Sequence, residues 1–393
     1  MTLITQASPE TVPLYVPYVG AREESYVQEA IASRKLDGPD GPFARRATTL
    51  LERYTGSPHA LLAPSCTQAL EIAAFLLDLE PGDEVIVPSY TFPPTASAFV
   101  LRGAVPVYVD CRPDTLNLDE RLVEAAITER TRAIVVMHYA GVACAMDEIG
   151  EIAGRHGLPV IEDNAHGLTG SYHGRGLGSL GALGALSFQQ TKNVQCGEGG
   201  ALLVNDPALL ERAEIVRDKG TDRCQYFRGE VDKYRWVDVG SSYLLSDMLA
   251  AFLTAQLEEL PDIQRRRLGV WDTYHRELAG WAERTAIKTP SVPAGCTHPA
   301  HIYYLVPPDA ATTGALLDHL AGHGVRAAIH FQPLHTSPAG RRYGRTAPGG
   351  CPVTERVAEC LIRLPLYAGM TGAQVARVVD ALTSFEPRGK ESR

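Results

Sequence analysis

Seven short apolar runs alternate with helix-like segments through the first half of the chain, and this alternation restricts the possible folds more than any other feature. Segments such as TQALEIAAFLLDL and DEIGEIAGRHG lie between the runs. Strands that alternate with crossover helices form a mainly parallel sheet with helices on both faces. We therefore expect an α/β fold with a large, mainly parallel, seven-stranded sheet built from HALLAP (59–64), DEVIVPSY (83–90), AVPVYVD (104–110), RAIVVMHYA (132–140), LPVIEDNA (158–165), GALSF (184–188) and GALLVND (200–206).

The chain of 393 residues is longer than one compact core usually organises, so two domains are expected. Beyond residue 240 the pattern changes to long helices with a break near Pro261. A smaller α+β pattern follows, around HIYYLVPP (301–308) and GVRAAIHFQPLH (324–335). We predict a large α/β domain with an N-terminal arm in residues 1–255 and a small C-terminal domain in residues 256–393.

The composition argues against several classes of function. A formal net charge of −9 does not suit a general nucleic-acid-binding surface. None of the eight cysteines is spaced as C-x-x-C, so zinc-ligand spacing is lacking, and a chain this long needs no disulfides. The start shows no secretory signal, and no apolar run approaches the ~20 residues that span a bilayer. We expect a cytoplasmic protein with reduced thiols and without a metal, nucleic-acid or membrane partner.

Polar residues follow several predicted strands, at the edge of an open α/β sheet where ligands usually bind. Ser65, Cys66 and Thr67 come just before a helix, whose free N–H groups and dipole favour a phosphate. Taken alone, these residues are more simply an ordinary N-cap. Asp163 ends the strand in VIEDNAHG, where a buried carboxylate needs a partner. A helix cap or a salt bridge would also explain Asp163.

Lys192 stands between an apolar strand and a glycine cluster in LSFQQTKNVQCGEGG. A solvated loop lysine is the ordinary interpretation, because lysine is costly to bury. A phosphate cradle, a strand-end carboxylate and an enclosed lysine together, however, are what pyridoxal phosphate requires: the lysine bonds to the aldehyde and the carboxylate keeps the ring nitrogen protonated. Phe92, in PSYTFPPTA, offers a face for stacking on the ring, and a core aromatic is the alternative.

Five segments in order resemble a known family. PSCTQALE, PGDEVIVPSYTFPPTASAFV, VIEDNAHG, SFQQTKNVQCGEGG and PLH are similar to those of the sugar aminotransferases often named after DegT, DnrJ, EryC1 and StrS. The resemblance covers about residues 12 to 385, and the motif set is specific. It implies the aspartate aminotransferase fold, type I of the enzymes that use pyridoxal phosphate, with a large α/β domain and a small C-terminal domain. It also implies a homodimer whose two active sites use both chains.

The resemblance assigns roles around the cofactor ring. Lys192 matches the lysine that bonds to the cofactor and moves the proton, and Asp163 matches the partner of the ring nitrogen. His166 matches the residue that hydrogen-bonds the ring oxygen, and Phe92 matches the stacking aromatic. A lysine acts as a base near neutral pH only if its surroundings lower its pKa, and we expect the enclosure of Lys192 to do so.

The resemblance also gives the phosphate-binding positions, which hold Cys66, Thr67, Ser187 and, through its backbone N–H, Gln68. Two positions depart from the pattern of the family. Asn164 replaces a common alanine in the strand-end motif, and Ser242 stands where many relatives have the asparagine of G-x-N-Y. The role of Ser242 is left open, because serine reaches less far than asparagine.

Three longer segments point to a subgroup of the family. FVLRGAVPVYVDCRPDTLNLDE, HYAGVACAMD and DKGTDRCQYFRGEVDKYRWVDVGSSYLLSD are most similar to the dTDP-4-amino-4,6-dideoxygalactose transaminases. That likeness implies dTDP-4-keto-6-deoxy-D-glucose as the amino acceptor and glutamate as the donor. It favours the galacto product, but the sequence does not show which face of C4 receives the proton, so the gluco product stays open.

Substrate contacts are predicted in two regions. The segment 217–236 interleaves basic and aromatic residues, and Arg223 and Arg228 are candidates for binding a nucleotide diphosphate. A solvated loop with internal ion pairs is the alternative. His330 and His335, around FQPLH, resemble the small-domain segment at the mouth of the active site, and packing is the alternative.

Other functions fit parts of the pattern. A 3-keto sugar nucleotide is an alternative substrate. A pyridoxal-phosphate sugar dehydratase carries histidine in place of the lysine, so Lys192 counts against it. A non-catalytic regulator would not need an intact lysine, aspartate and phosphate cradle. A nicotinamide-binding Rossmann protein would show G-x-G-x-x-G after the first strand, where this chain has APSCTQAL.

Overall fold

The computed structural model describes residues 11–37 and 41–387. Its strands, in chain order, are β1 His59–Ala63, β2 Glu84–Pro88, β3 Val105–Val109, β4 Thr131–Met137, β5 Val160–Asp163, β6 Ser171–Tyr172, β7 Arg175–Gly176, β8 Leu183–Ser187, β9 Gly200–Val204, β10 Cys296–Thr297, β11 Tyr303–Leu305, β12 Ala328–Ile329, β13 Arg345–Thr346 and β14 Ile362–Leu364. Its helices are α1 Glu23–Ser33, α2 Pro42–Thr55, α3 Cys66–Leu76, α4 Pro94–Val100, α5 Glu120–Val123, α6 Met146–His156, α7 Leu210–Arg217, α8 Arg223–Phe227, α9 Asp247–Glu258, α10 Leu260–Thr285, α11 Ala310–Gly322, α12 Pro338–Tyr343, α13 Pro352–Cys360 and α14 Gly372–Thr383.

A large sheet forms the centre of the fold, with the strand order β1-β9-β8-β5-β4-β2-β3-β13. β9 is antiparallel to both of its neighbours, and the other pairs are parallel. All seven predicted apolar runs form strands of this sheet, which confirms the mainly parallel α/β architecture. The sheet has eight strands instead of seven, because β13 adds a two-residue edge strand beside β3 that lacks an apolar run of its own.

Helices cover both faces of the large sheet. On β2, Val85 and Val87 pack in the same core as Phe99 of α4, whereas Ile86 packs in the core that contains Ile149 of α6. Successive side chains of a strand point to opposite faces, so this arrangement buries β2 on both sides. The near-continuous apolar runs of the sequence follow from this double burial.

The N-terminus of α3 packs closely against Gly200, the first residue of β9 in the large sheet. Ser65 caps the helix, and its Oγ accepts the backbone N–H of Gln68 at 3.2 Å. A Cβ atom at Gly200 would lie only 2.3 Å from the carbonyl carbon of Ser65. Gly200 pairs with Ser187, the last residue of β8. The glycine therefore allows the N-terminus of α3 to reach the sheet edge at which β8 ends.

The C-terminal part of the chain forms a second sheet, in the order β11-β14-β12. One of its faces, with Tyr303 and Ile362, shares a core with Trp281 of α10, Leu316 of α11 and Val378 of α14. The predicted smaller α+β unit is thus present. The division of the chain into residues 1–255 and 256–393 stays a prediction.

The helix break predicted near Pro261 is confirmed, because α10 begins at Leu260 with this proline in its first turn. All eight cysteines are free thiols. Within residues 11–37 and 41–387, no helix is long and apolar enough to cross a membrane. The same residues contain no cluster of three or more His, Cys, Asp or Glu side chains that could hold a metal ion.

Because Gly200 lies so close to the backbone of Ser65, alanine should destabilise the protein at Gly200 but not at Gly154. Gly200→Ala should lower the free energy of unfolding by about 1–3 kcal/mol, because the new Cβ meets backbone that cannot easily move. Gly154→Ala is the matched control, since an added Cβ on that residue of α6 has no neighbour within 4 Å. The control should be neutral or more stable by up to ~1 kcal/mol. Urea unfolding followed by circular dichroism measures both, and equal stabilities would contradict the close approach.

Candidate active site

The residues predicted after β1, β5 and β8 lie together at one edge of the large sheet. Asp163, the last residue of β5, pairs with Ala185 of the parallel strand β8. The Sγ atom of Cys66, the first residue of α3, lies 3.9 Å from Asp163 Oδ1. The Lys192 amine is near enough to influence the pKa of both side chains. The structure therefore brings the predicted lysine, aspartate and helix N-terminus into one site.

Asp163 is a buried carboxylate held by two donors. Thr95 of α4 donates its hydroxyl to Oδ2 at 2.6 Å, and the backbone N–H of Ala165 donates to Oδ1 at 3.1 Å. Burial raises the pKa of Asp163, while these two hydrogen bonds and the nearby charge of Lys192 oppose the rise. The two donors fix the orientation of the carboxylate, and the amine balances its charge.

Lys192 lies on the loop after β8 and is half-buried. The next residue anchors this loop, because Asn193 donates its Nδ2 to the carbonyl of Pro299 at 2.7 Å. Burial lowers the pKa of Lys192 to about 8, although Cys66 and Asp163 act in the opposite direction. The expectation that enclosure lowers the pKa of Lys192 is confirmed.

His166 is a buried imidazole whose Nδ1 atom has no hydrogen-bond partner among the described residues. Its ring packs on His301, with 4.1 Å between the centroids, and His301 Nδ1 lies 3.0 Å from Asn193 Oδ1. Burial, with the charge of Lys192 nearby, holds the pKa of His166 well below its ordinary value. His166 therefore presents a neutral ring with one nitrogen available to a ligand.

The predicted phosphate positions surround the start of α3. Cys66 and Thr67 are the first two residues of this helix, and Ser187 ends the neighbouring strand β8. Backbone N–H groups at a helix start have no partner inside the helix. The N–H of Gln68 is donated to the Oγ of Ser65 at 3.2 Å, so the N-cap competes with a phosphate for this donor. The roles of Cys66, Thr67, Ser187 and Gln68 at a phosphate stay predictions.

Phe92 is 59% exposed, so the alternative of a core aromatic is wrong. The residue follows β2, and its carbonyl accepts the backbone N–H of Thr95 at 3.1 Å. Its ring centroid is 6.1 Å from that of Phe331. Phe92 thus lies one turn from the threonine that binds Asp163, with an open ring face.

The two predicted histidines of the C-terminal region differ. His330 Nδ1 lies 3.0 Å from the hydroxyl of Tyr139, and burial holds the pKa of His330 well below its ordinary value. His335 has partners at both nitrogens: Ser89 Oγ at 2.6 Å from Nδ1 and Glu355 Oε1 at 3.0 Å from Nε2. These contacts favour packing for His335. His330 faces the site, with its ring 6.2 Å from that of His166.

The two predicted arginines of segment 217–236 are engaged within the chain. Arg228 forms ion pairs with Glu214 and Glu230, both at 2.8 Å. Arg223 forms an ion pair with Asp218 at 3.2 Å. These contacts match the alternative of a loop with internal ion pairs, although the Asp218 carboxylate is buried. A role of the two arginines in nucleotide binding stays a prediction.

The two departures from the family pattern have local explanations. Asn164 donates its Nδ2 to the carbonyl of Leu177 at 2.6 Å and so holds the turn that follows β5. Ser242 is exposed and pairs through its backbone with Asp218. No contact connects Ser242 with the Asp163 and Lys192 site among the described residues.

Four further residues belong to the site and were missed by reasoning from sequence: Thr95, Tyr139, His301 and Arg363. Thr95 lies one turn after Phe92, and Tyr139 lies two residues after the end of β4, inside the apolar run 132–140. Arg363 is the lone charge in the apolar segment CLIRLPLY. This charge is the signal that the sequence offers for Arg363. The contacts of Thr95, Tyr139 and His301 with the site depend on the tertiary fold.

Comparison with known proteins gives the family. The DegT/DnrJ/EryC1/StrS aminotransferase family matches residues 17–383. The chain belongs to this family. The uncharacterized protein MJ1066 of Methanocaldococcus jannaschii is 33% identical over 378 residues, which cover 94% of this chain and 96% of the relative.

Two solved structures of similar fold match nearly the whole chain. The aminotransferase TlmJ from Streptoalloteichus hindustanus is 30% identical, with a TM-score of 0.86 over 95% of this chain and 98% of that one. DesV from S. venezuelae, solved in complex with a ketimine intermediate, is 30% identical, with a TM-score of 0.84 over the same shares of the two chains. The family resemblance and the predicted fold class are confirmed.

Membership of the DegT/DnrJ/EryC1/StrS aminotransferase family implies pyridoxal phosphate, and the residues of this site fit that group. His166 offers a buried Nδ1 atom that lacks a partner among the described residues. Asp163 offers an oriented carboxylate, and Lys192 offers an amine that loses its proton more readily than usual. The start of α3 suits a phosphate. The donor set thus matches the aldehyde, ring and phosphate of this cofactor.

The shifted pKa of Lys192 can be measured in cofactor-free protein labelled with ¹³C at lysine Cε. The signal that disappears in Lys192→Met should titrate with a midpoint of about 8, against ~10.4 for an ordinary lysine. Asp163→Asn should lower the midpoint further, because the carboxylate favours the charged amine. Between pH ~8 and ~10.4, Lys192 is more fully protonated in the unfolded chain than in the folded one. Its contribution to the free energy of unfolding therefore rises with pH over that range. A midpoint above 10, or a rise in Asp163→Asn, would contradict the described site.

Proposed function

We propose that this member of the DegT/DnrJ/EryC1/StrS family is a pyridoxal-phosphate-dependent nucleotide-sugar transaminase. It moves the amino group of glutamate to C4 of a dTDP-4-keto-6-deoxyhexose and forms a dTDP-4-amino-4,6-dideoxy sugar, with the galacto product favoured over the gluco product. The observation that carries this proposal is the Lys192 amine, with its pKa lowered to about 8, beside the buried carboxylate of Asp163.

When bound, pyridoxal phosphate supplies an aldehyde carbon that bonds to amines and a protonated ring that accepts electrons from the reacting carbon. In this chain Lys192 would bond to the aldehyde and Asp163 would hold the proton of the ring nitrogen. The other contacts would come from residues around them: His166 to the ring oxygen, Phe92 on the ring face, and Cys66, Thr67 and Ser187 at the phosphate.

Lys192 is suited to move the proton in both halves of the reaction. With a pKa of about 8, about a tenth of the amine is uncharged at pH 7, against well under a thousandth of an ordinary lysine. The uncharged Nζ accepts the proton from the Cα of glutamate and later returns a proton to C4 of the sugar. A base with a pKa near the working pH is uncharged often enough to accept a proton and is still basic enough to remove one.

Burial raises the pKa of Asp163, and several neighbours oppose that rise by favouring the charged carboxylate. Thr95 and the N–H of Ala165 donate to its two oxygens, and the charges of Lys192 and His138 act in the same direction. A carboxylate that is oriented by two hydrogen bonds and lies beside a cation is suited to hold a proton on a partner nitrogen. Asp163 thereby keeps the electron-accepting form of the ring.

The choice of a keto sugar rests on the likeness of three segments to the dTDP-4-amino-4,6-dideoxygalactose transaminases, and the relatives support the chemistry. A ketimine, the species named for DesV, is formed when an amine condenses with a ketone. Amination of a keto sugar needs that condensation. A 3-keto sugar nucleotide remains the alternative substrate, and Lys192 argues against a dehydratase of the same fold.

We also propose a homodimer whose active sites use both chains. The segment 226–239 carries several exposed apolar side chains, including Phe227 at 56%, Trp236 at 79% and Val237 at 50%. Adjacent exposed apolar side chains mark surfaces that other proteins cover. Since Arg223 and Arg228 lie next to them, a second copy on this surface would bring the two arginines close to an interface.

The proposed location is the cytoplasm, with small molecules as the substrates. Eight free cysteines fit a reducing compartment. The net charge of −9 does not favour nucleic acid as a partner.

The proposed reaction can be tested directly with purified protein, pyridoxal phosphate, glutamate and dTDP-4-keto-6-deoxyglucose. NMR of the product should show a 4-amino sugar with an axial amine at C4. An equatorial amine would show the gluco product, and amination at C3 after supply of the 3-keto isomer alone would show the alternative substrate. Absence of amination with both substrates would contradict the proposal.

Lys192→Ala should lower the turnover rate by about 10²–10⁴-fold or more, because the base that moves the proton is removed. Steady-state release of 2-oxoglutarate measures the rate. Lys288→Ala, which removes an exposed lysine from another part of the chain, is the control and should keep the wild-type rate. A Lys192→Ala rate within tenfold of the wild type would show that another group moves the proton.

The dimer can be measured by sedimentation equilibrium, which should give twice the chain mass of 42.5 kDa. Trp236→Ser should raise the dissociation constant by at least about thirtyfold, the effect of losing a large interface aromatic. Leu101→Ser, at a residue that is 71% exposed outside segment 226–239, should leave the constant unchanged. A monomeric wild type would refute the proposed homodimer.

A further inference from the structure

Arg217, the last residue of α7, is a buried cation. The residue is 6% exposed, and its Nε atom has no hydrogen-bond partner among the described residues. Its guanidinium contacts the thiol of Cys224, and it forms no ion pair within residues 11–37 and 41–387. A guanidinium held away from water without an anion is unfavourable. The position is explained if an anion from outside the chain binds there.

The carboxylates of the neighbouring elements do not supply this anion. Each carboxylate on α7, directly after α7 and on α2 has another partner: Glu211 with Gln225, Glu214 with Arg228, Asp218 with Lys219 and Arg223, and Glu52 with the backbone N–H of Ala60. The charge of Arg217 is therefore left without a paired carboxylate from these elements.

Arg217 lines a cavity of about 300 Å³ between α2 and β1, the edge strand of the large sheet. The lining of this cavity, the Arg217 cavity, combines a guanidinium and a hydroxyl with four leucines: Arg217, Thr48, Leu61, Leu62, Leu244 and Leu245. The Thr48 hydroxyl has no hydrogen bond to another described residue. Arg45 also lines the cavity, but it is exposed, so water solvates its charge.

The Arg217 cavity is separate from the proposed cofactor site. The residues that line it are different from those around Lys192. Since a water molecule takes up about 30 Å³ in the liquid, a cavity of this size holds about ten non-hydrogen atoms. That is the size of a small organic molecule.

We propose that the Arg217 cavity binds a small monocarboxylic acid with an apolar body, such as a branched aliphatic or an aromatic acid. The planar guanidinium of Arg217 offers two parallel N–H donors that match a carboxylate. The Thr48 hydroxyl is a further donor of the same cavity, and the leucines cover the apolar part of the acid. This inference goes beyond the proposed transamination and does not depend on it.

A phosphate fits the Arg217 cavity less well. It carries more than one negative charge near neutral pH. Phosphate sites usually offer several backbone N–H groups. Here one buried guanidinium lies among leucines, which suits a single charge on an apolar molecule.

The position of the cavity predicts an effect on the segment that begins at Arg217. The carbonyl of Arg217 accepts the backbone N–H of Tyr243 at 3.0 Å, and the next two residues, Leu244 and Leu245, line the cavity. A bound acid therefore connects these residues with α2 and β1. Amide hydrogen exchange in residues 241–245 should become slower when the acid is bound.

Isothermal titration of the holoenzyme with 3-methylbutanoate and with benzoate tests the inference. Both acids should bind the wild type with a dissociation constant of about 1 mM or tighter. Arg217→Gln should weaken binding at least about thirtyfold, the loss expected when one partner of a buried charge pair is removed. Thr48→Val keeps the shape and should weaken binding about two- to tenfold. Arg53→Gln removes an exposed arginine from α2 and should bind like the wild type.

Inorganic phosphate and the oligomeric state distinguish the other sources of an anion. Phosphate that binds the wild type more tightly than either acid, and is lost in Arg217→Gln, would overturn the inference in favour of a phosphate site. A dimer that dissociates in Arg217→Gln, with neither acid bound by the wild type, would overturn it in favour of an acidic side chain from a second copy. Equal acid affinities of Arg217→Gln and Arg53→Gln would overturn it as well.

Two further variants keep the inference testable if Arg217→Gln does not fold. Leu244→Trp fills the cavity without a change of charge and should abolish binding, so wild-type affinity in that variant overturns the proposal. Arg217→Met removes the charge, and in the absence of acid its urea midpoint should equal or exceed that of the wild type. A lower midpoint would show that Arg217 has a partner within the chain, which contradicts the inference.

Discussion

The electrostatic pairing of the Asp163 carboxylate with the Lys192 amine is the constraint on which the rest of the site depends. Neither charge is stable alone away from water, since an uncompensated buried charge costs several kcal/mol. Side by side, each stabilises the charged form of the other. Burial nevertheless exceeds this attraction at the lysine, and the result is an amine with a pKa of about 8. The pairing thus produces both an oriented carboxylate and a base suited to neutral pH.

The surrounding structure holds these two groups in place from both sheets. On the side of the large sheet, Thr95 fixes the carboxylate, and the glycine at position 200 lets α3 approach the same edge. On the other side, Asn193 links the loop of Lys192 to His301, whose carbonyl accepts a hydrogen bond from Arg267. The active site is therefore built from segments far apart in the chain, and its geometry depends on the packing of the two sheets.

The sequence predicts the architecture well wherever the pattern is local. Seven strands follow from seven apolar runs, and Asp163 and Lys192 follow from the rule that ligands bind at the carboxyl ends of parallel strands. The eighth strand could not be predicted, because two residues without an apolar run pair at the edge only after the C-terminal part has folded onto β3. The phosphate role of Gln68 came from the family resemblance, and the local pattern does not show that the N-cap also uses the N–H of this residue.

Contacts between residues far apart in the sequence could not be predicted from local patterns. Thr95 and Asp163 are 68 positions apart, and Tyr139 and His330 are 191 apart, so no local motif announces either pair. Arg363 was visible as a lone charge, but its place at the site depends on the register that puts Tyr304 beside it. Family resemblance supplied roles for the residues around the cofactor, whereas the wall formed by Tyr139 and Arg363 became visible through the fold.

Chemical trapping tests the central claim most directly. Borohydride reduction of the protein saturated with pyridoxal phosphate, followed by digestion and mass spectrometry, identifies the residue that bonds to the cofactor. The account predicts one phosphopyridoxyl group, on the peptide that contains Lys192, and its loss when reduction follows incubation with excess glutamate. A label on another lysine, or no label on a protein that holds the cofactor, would contradict the account.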